Sequence, residues 1–275
     1  MTHDMAFLLD IATLAAQAGG AILRQYLGKA EIQEKGRPGD LVTAADKAAE
    51  AAILDILGRH VKSHGILAEE SGQSGDQTST YLWAIDPLDG TTNYAHQYPF
   101  FSTSVGLLID GVPQVGAIYD PFHNELYQAA KGLGAWCNHK SIRVSTTDKI
   151  ANSLLVTGFA YDRHRTTDNN YAEFCYLTHL SRGVRRAGAA SLDLASIACG
   201  RVDGYWERGL SPWDVVAGIV LVEEAGGKVT SYNGETVDIK SGRILATNGH
   251  LHAELSQDLQ QVPPLSTWQS PDFFK

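Results

Sequence analysis

Cysteine is scarce: three in 275 residues, at positions 137, 175 and 199, with no CxxC pair among them. That excludes a disulfide framework and a zinc knuckle, and fits a reducing compartment. The ten histidines show no HExxH or other zinc-ligand spacing. The GxSxG nucleophile elbow is missing, and so is a Walker A loop with its lysine. No Lys/Arg-rich run exists, and 22 basic residues stand against 31 acidic ones for a net charge of −9. Direct gripping of a nucleic-acid backbone is therefore excluded as the main task. No apolar run approaches the roughly 20 residues of a membrane span. The N-terminus lacks the basic start and small-residue cleavage site of a signal peptide. The expectation is a cytoplasmic, soluble protein without membrane contact.

What is present is ample core material, 44% apolar with 19% charged residues. The length suggests about two units of ~150 residues, although large α/β chains run this long as one domain. Phe7, Ile11, Leu14, Ala18 and Ile22 recur at three- and four-residue spacing and predict a helix over about 5–27. Thr43 followed by Asp46 resembles a capping box and opens a helix to about residue 60. "GILAEE" reads as a strand, "SGQSGDQTST" as a polar loop and "YLWAID" as the next strand; Asp110-Gly111 marks a hairpin. Beyond about residue 147, strands and helices alternate: "SLLVTGF", "GVRRAG", "DGYWE" and "ILATN" as strands, "NNYAEFCYLTHLS", "ASLDLASIACG" and "PWDVVAGIVLVEEAGG" as helices, with a last helix over about 249–261.

The residues that raise a question are "YLWAIDPLDGTTNYAH" at 81–96. Asp-Pro and Asp-Gly are ordinary turn signals, and Asp120-Pro121 and Asp110-Gly111 read as plain turns with no company. Asp86 and Asp89 do have company. Glu69 and Glu70 end one strand, Asp86 ends another, Asp46 sits in a first helical turn and Asp214 opens a helix. Acids at helix starts are common, because the macrodipole favours them. Gathered at element ends, however, they repel unless a cation holds them. Carboxylates without Cys or His donors suit a hard ion such as Mg²⁺. In a phosphatase with an aspartyl nucleophile, D-x-D-G-T puts both acids on one strand face. Here two residues intervene and one is Pro87, which predicts a turn that brings both carboxylates and the Leu88 carbonyl onto adjacent cations.

At these residues the chain resembles the inositol monophosphatase family, within the lithium-sensitive, magnesium-dependent sugar-phosphatase fold. The stretches "KGRPGDLVTAAD", "ILAEES", "WAIDPLDGTTNYAH", "RRAGAASLDLASIACGRVDGYWE" and "WDVVAGIVLVEEAGG" match in order from residue 35 to 227. The resemblance implies an α/β (α+β) fold, a layered αβαβα sandwich. It implies one domain over 1–275, with residues 1–146 as a metal- and phosphate-binding half and 147–275 as a substrate-recognition half. Glu69, Asp86 and the Leu88 carbonyl would hold one Mg²⁺; Asp86, Asp89 and Asp214 would hold a second. A weaker third ion would lie near Glu69, with Lys35 and Asp46 reaching its water shell. Thr91 would accept a hydrogen bond from the attacking water while Asp46 holds its proton, making Glu69, Thr91 and Asp46 the catalytic set. Gly90 and Thr91 would offer N–H groups to phosphate at a helix start. Gly188, Ala189 and Ala190 would face the alcohol, and Glu207 would accept from its hydroxyls.

One departure stands out. The family often has Ser or Thr where Ala189 stands, so a hydroxyl contact would be lost while backbone contacts remain. Arg185-Arg186 reads as a surface or interface pair, with substrate contact as the alternative. His96 reads as a packing or surface residue rather than a general acid. The implied activity is hydrolysis of myo-inositol monophosphates, with lithium inhibition and a homodimer. Histidinol phosphate, fructose 1,6-bisphosphate or a nucleotide 3′-phosphate are alternative substrates, and no evident basic cluster awaits a second phosphate. A binding role in the transcription machinery is a further alternative, through protein rather than RNA contacts.

Overall fold

The computed structural model describes residues 4–29, 32–34, 41–239 and 241–263. Lys35 and the role expected of it lie outside them. Helix α1 (Met5–Tyr26) starts where the Asp4 carboxylate accepts from Ala6 N at 3.2 Å. Its period is the expected one, but its inward face is turned. Leu8, Ile11, Ala12, Ala15, Ala16 and Leu23 are buried, while Phe7 and Leu14 are exposed. Small residues face inward because the helix lies close on the sheet: a side-chain carbon on Gly20 would stand 2.3 Å from the Tyr119 ring. This helix is long and apolar enough by composition to cross a membrane, yet it is a core helix here.

Strands β1 (Ile32–Glu34) and β2 (Leu41–Thr43) form a small antiparallel pair. Helix α2 (Ala44–His60) begins with the expected capping box: Ala45 N donates to Thr43 Oγ1 at 3.1 Å and Thr43 N to Asp46 Oδ2 at 2.8 Å. Then come β3 (Gly65–Ala68), β4 (Gly72–Gly75), β5 (Tyr81–Asp89) and the short α3 (Thr91–Ala95). Strands β6 (Ser102–Ile109), β7 (Val112–Asp120), β8 (Glu125–Ala130), β9 (Gly134–Cys137) and β10 (Lys140–Ser141) complete an eight-stranded sheet in the order β10-β9-β8-β7-β6-β5-β3-β4. Only β3 and β5 run parallel in it.

The second half supplies β11 (Leu154–Thr157), α4 (Tyr171–Leu180), β12 (Gly183–Arg185), α5 (Ala190–Ala198), β13 (Gly204–Glu207), α6 (Pro212–Glu224), β14 (Lys228–Thr230), β15 (Ile244–Thr247) and α7 (His252–Gln261). Its five strands pair in the order β12-β11-β13-β15-β14. The layers are α1/α2, the large sheet, α5/α6, the small sheet, and α4/α7, an αβαβα sandwich as expected. One apolar core fills the space between α1/α2 and the large sheet, a second surrounds α5/α6, and a third lies under α4 and α7. Helix α6 presses on β7 so closely that a side-chain carbon on Gly116 would stand 2.3 Å from Ala217 O.

Three local expectations need correction. The polar stretch after Glu70 contains β4, because an edge strand need bury little and its polar residues give no alternating signal. Pro87 makes no turn that ends the strand. Strand β5 continues to Asp89 across a register shift, Asp86 opposite Ser104 and Asp89 opposite Ser102. A bulge leaves a residue unpaired, so a residue with no N–H is accommodated there. Asp120 is not a bare turn acid either. It is buried, Oδ1 accepts from Phe122 N (2.9 Å) and His123 N (3.0 Å), and Oδ2 lies 2.7 Å from His123 Nδ1. The hairpin at Asp110-Gly111 is as expected, with both residues at positive φ (51° and 79°), the geometry of a type I′ link.

Candidate active site

Asp86 and Asp89 reach one side of the sheet through the bulge in β5. Asp214 arrives as the third residue of α6. There it closes a second capping box, and Ser211 N donates to its Oδ2 at 2.6 Å. Glu69 follows the end of β3, where its N–H donates to Ile85 O at 3.1 Å and ties it to β5. All four carboxylates line one cavity of about 770 Å³, together with Leu88, Gly90, Thr91, Gly188, Ala189, Ala190 and Glu207. The residues expected to bind metal and substrate are thus gathered at one place, while Glu70 is not among the described lining residues. Asp46 is buried at the start of α2 and is not among the described lining residues.

Each of the three aspartates has one oxygen fixed by a backbone N–H. Leu88 N donates to Asp86 Oδ1 (2.9 Å), Ser191 N to Asp89 Oδ2 (2.7 Å) and Ser211 N to Asp214 Oδ2. Burial pushes Asp86 well above the usual carboxylate range, and the fields of Glu69, Asp89 and Asp214 push it further. Asp214 is raised well above that range by burial and then by Asp89. Asp89 is raised by burial to about 6, against the lowering effect of its Ser191 bonds. A cluster that disfavours its own ionisation this strongly is stabilised by a cation among its members.

The donor set fits a hard divalent ion. It consists of carboxylates and backbone carbonyls, with no thiolate or imidazole in the lining. Among the described residues, no group of three or more His, Cys, Asp and Glu side chains stands close enough together to hold a metal ion as it is. The fit therefore rests on donor chemistry, and it suits Mg²⁺, which keeps several waters instead of demanding an all-protein shell.

Thr91 begins the five-residue helix α3, and its hydroxyl donates to Leu88 O at 3.1 Å. The expected bond from Thr91 to Asp46 is not formed: the Thr91 proton goes to Leu88 O, and Asp46 Oδ2 accepts from Thr43 N and, at 2.6 Å, from Thr43 Oγ1. Gly90 stands at φ 90°, and a side-chain carbon there would lie 2.9 Å from Phe100 O. Glycine is required at 90 by that backbone geometry as much as by access for a phosphate.

On the opposite wall, Glu207 ends β13, accepts from Tyr205 OH at 2.7 Å, and is raised by burial to about 7. A side-chain carbon on Gly158 would stand 2.0 Å from its carboxylate. Ala189 precedes α5 and makes no side-chain cap bond. The hydroxyl missing at 189 has a counterpart at 191, where Ser191 Oγ donates to Asp89 Oδ2 at 2.5 Å and lies 2.7 Å from Ser102 Oγ. Sequence reasoning missed Ser191 and Ser102. The signal was only that Ser191 opens the helix beginning "ASLDL", with nothing to say which acid it would meet. Arg186 lines the cavity and Arg185 does not. His96 is exposed at the end of α3.

Comparison with known proteins follows the same outline. A sequence model of the inositol monophosphatase family matches residues 4–263. The inositol-1-monophosphatase of Synechocystis sp. is 59% identical over 94% of this chain and 91% of its own length. The Nus factor SuhB of Pseudomonas aeruginosa is 39% identical over 94% of this chain and 97% of its own. The solved inositol monophosphatase of Anabaena (Nostoc) sp. superposes with a TM-score of 0.89 at 64% identity, covering 97% of this chain and all of that one.

Proposed function

The chain belongs to the inositol monophosphatase family, and from that premise we propose that it is a magnesium-dependent phosphatase of myo-inositol monophosphates and related polyol phosphates. The observation that carries this reading is the convergence of Glu69, Asp86, Asp89 and Asp214 on one cavity that Glu207 also lines. Glu69, Asp86 and the Leu88 carbonyl would hold one ion; Asp86, Asp89 and Asp214 would hold the other. When bound, such ions acidify water and stabilise charge on the leaving oxygen.

The chain's own residues do the positioning. The N–H groups at Gly90 and Thr91 meet the phosphate at the start of α3. A five-residue helix sums few peptide dipoles, so what it offers is local donors. The Thr91 hydroxyl, its proton on Leu88 O, keeps lone pairs for the attacking water. Glu207, steadied by Tyr205, accepts from polyol hydroxyls, and Gly188 to Ala190 form the floor beneath the ring. Attack is direct and in line, without a phosphoenzyme, since every carboxylate of the site is assigned to an ion or to the polyol.

The working unit is a cytoplasmic homodimer, with exposed Tyr98 and Phe122 as apolar surface for a contact to cover. A second reading, a role in transcription alongside catalysis, is supported by the likeness to the Nus factor. The deciding experiment is kcat/KM with Mg²⁺ on a panel of inositol, sugar, histidinol and nucleotide phosphates. A preference for inositol monophosphates supports the reading, and turnover of none of them ends it. An Asp89→Asn protein that loses turnover but still performs in cells would favour the binding role.

A further inference from the structure

The chain leaves β11 at Gly158 and returns to start α4 at Tyr171, and on the way Gly158, Phe159, Ala160, Tyr161 and Arg163 line the cavity. Both ends of this loop meet at one side chain. Asn170 Nδ2 donates to Gly158 O at 2.6 Å and to Thr157 Oγ1 at 2.7 Å. Its Oδ1 accepts from Trp206 Nε1 at 2.6 Å, and Thr157 Oγ1 donates to Trp206 O. Asn170, Thr157 and Trp206 are all buried, where low polarity strengthens such bonds. Asparagine before a helix normally turns its side-chain oxygen on the helix's own N–H groups. Asn170 makes no such cap bond, and it stands at φ 68°, a left-handed geometry uncommon for a residue with a side chain. Its amide is committed to the strands instead.

What that amide holds is the polyol end of the site. Thr157 precedes Gly158 and Trp206 precedes Glu207, and Thr157 and Trp206 pair across the parallel strands β11 and β13. Gly158 and Glu207 therefore follow side by side, so close that a side-chain carbon on Gly158 would stand 2.0 Å from the Glu207 carboxylate. The Gly158 backbone is the surface against which that carboxylate rests, and Asn170 fixes its carbonyl. A second anchor steadies the next residue: the Phe159 ring lies 5.3 Å from that of Tyr171 and 5.6 Å from that of Phe174. Asn170 itself is not among the described residues that line the cavity. We infer that Asn170 is a positioning residue for polyol selectivity, which fixes Gly158 and through it the carboxylate that accepts from the alcohol's hydroxyls. This rests on the phosphatase reading above. Small displacements of an orienting group have large kinetic effects. The bonds of Asn170 end on β11 and β13, whereas Asp86, Asp89 and Asp214 stand on β5 and α6, so the effect is confined to the alcohol.

The test reads KM and kcat separately for myo-inositol 1-phosphate and for 4-nitrophenyl phosphate, which offers Glu207 no hydroxyl. Asn170→Asp keeps the shape and the acceptor for Trp206 but loses both donated bonds. Asn170→Gly suits the positive φ and loses all three. In each variant KM for the inositol ester is expected to rise about tenfold, the effect of one well-placed hydrogen bond lost from the substrate. KM and kcat for 4-nitrophenyl phosphate stay within about twofold of wild type. The Ki of free myo-inositol as product inhibitor rises in step, and that of inorganic phosphate does not. Trp206→Phe removes only the N–H that aims the amide and gives the same split at about two- to threefold. Equal KM changes for both esters, a loss confined to kcat, or unchanged values in all three variants overturn the inference. A merely structural asparagine would lower both activities together through the folded fraction. Thermal midpoints identify the folded variants, and Trp206→Phe decides if neither Asn170 variant folds. Wild-type turnover of both esters without the split in the variants sinks this inference alone. Wild-type turnover of neither sinks the phosphatase reading with it.

Discussion

Asp86 and Asp89 are three residues apart on β5, yet they oppose Ser104 and Ser102, which are two apart on β6. In an unbroken strand, side chains three apart point to opposite faces. The extra residue in β5 cancels that alternation and puts both carboxylates on the same side. The bulge is thus the local cause of the site. Proline at 87 fits it because the lost N–H has no ladder partner there.

Removing one ligand charge should abolish turnover without unfolding the protein. Asp89→Asn and Asp214→Asn are expected to lower kcat at least about 100-fold, roughly 2.7 kcal/mol, with unchanged circular dichroism. Steady-state phosphate release and thermal melts check this. A variant keeping more than about a tenth of wild-type kcat would remove that aspartate from the ligand set.

Ser191 acts through Asp89. Its N–H and Oγ–H both serve Asp89 Oδ2, so Ser191→Ala keeps the backbone bond and loses the hydroxyl. A hydrogen bond to a charged group contributes about 1.5–3 kcal/mol, so activity should fall roughly 10- to 100-fold. The Mg²⁺ concentration for half-maximal rate should rise. Because Ser102 Oγ contacts Ser191 Oγ, adding Ser102→Ala should cost less than it does alone. Strictly additive losses would show that the two serines are independent.

Gly158→Ala tests Glu207. The new carbon would stand 2.0 Å from the carboxylate, which is the movable partner. The expected result is a several-fold rise in KM for inositol 1-phosphate, with a smaller change for an aryl phosphate that offers no hydroxyls. Equal effects on both esters would count against Glu207 as the polyol acceptor.

His252 provides a pH dependence remote from the cavity. It is buried, with Nε2 2.8 Å from Thr230 Oγ1 and Nδ1 2.9 Å from Thr247 Oγ1. Burial, aided by Lys228, lowers its pKa from 6.5 to about 4. Between pH 6.5 and 4 the unfolded chain therefore binds a proton that the folded chain refuses. The contribution is complete above pH 6.5 and is lost as pH falls toward 4. Denaturation midpoints measured across this range should drop for the wild type and drop less for His252→Gln. Parallel slopes would exclude His252 as the source.

Much of this was legible from local pattern. Apolar period, caps and Pro-start, Gly-stop signals placed α1, α2 and α6, because such signals lie within a few residues of what they specify. Motif spacing pointed to the site acids for the same reason. The face of α1 was misjudged, since the choice between Phe7 and Leu8 depends on how close the sheet comes. Strand β4 was missed because an exposed edge strand has no core to imprint on its sequence.

By itself the sequence determined which oxygen donors exist, that sulfur and imidazole clusters are lacking, and where most elements begin and end. Only the tertiary structure decided that Ser191 meets Asp89 across 102 positions and that the Thr91 proton goes to Leu88 O. The same holds for the two arginines that share the cavity with the acids. Contacts between distant segments are set by packing geometry, which no short window of residues encodes.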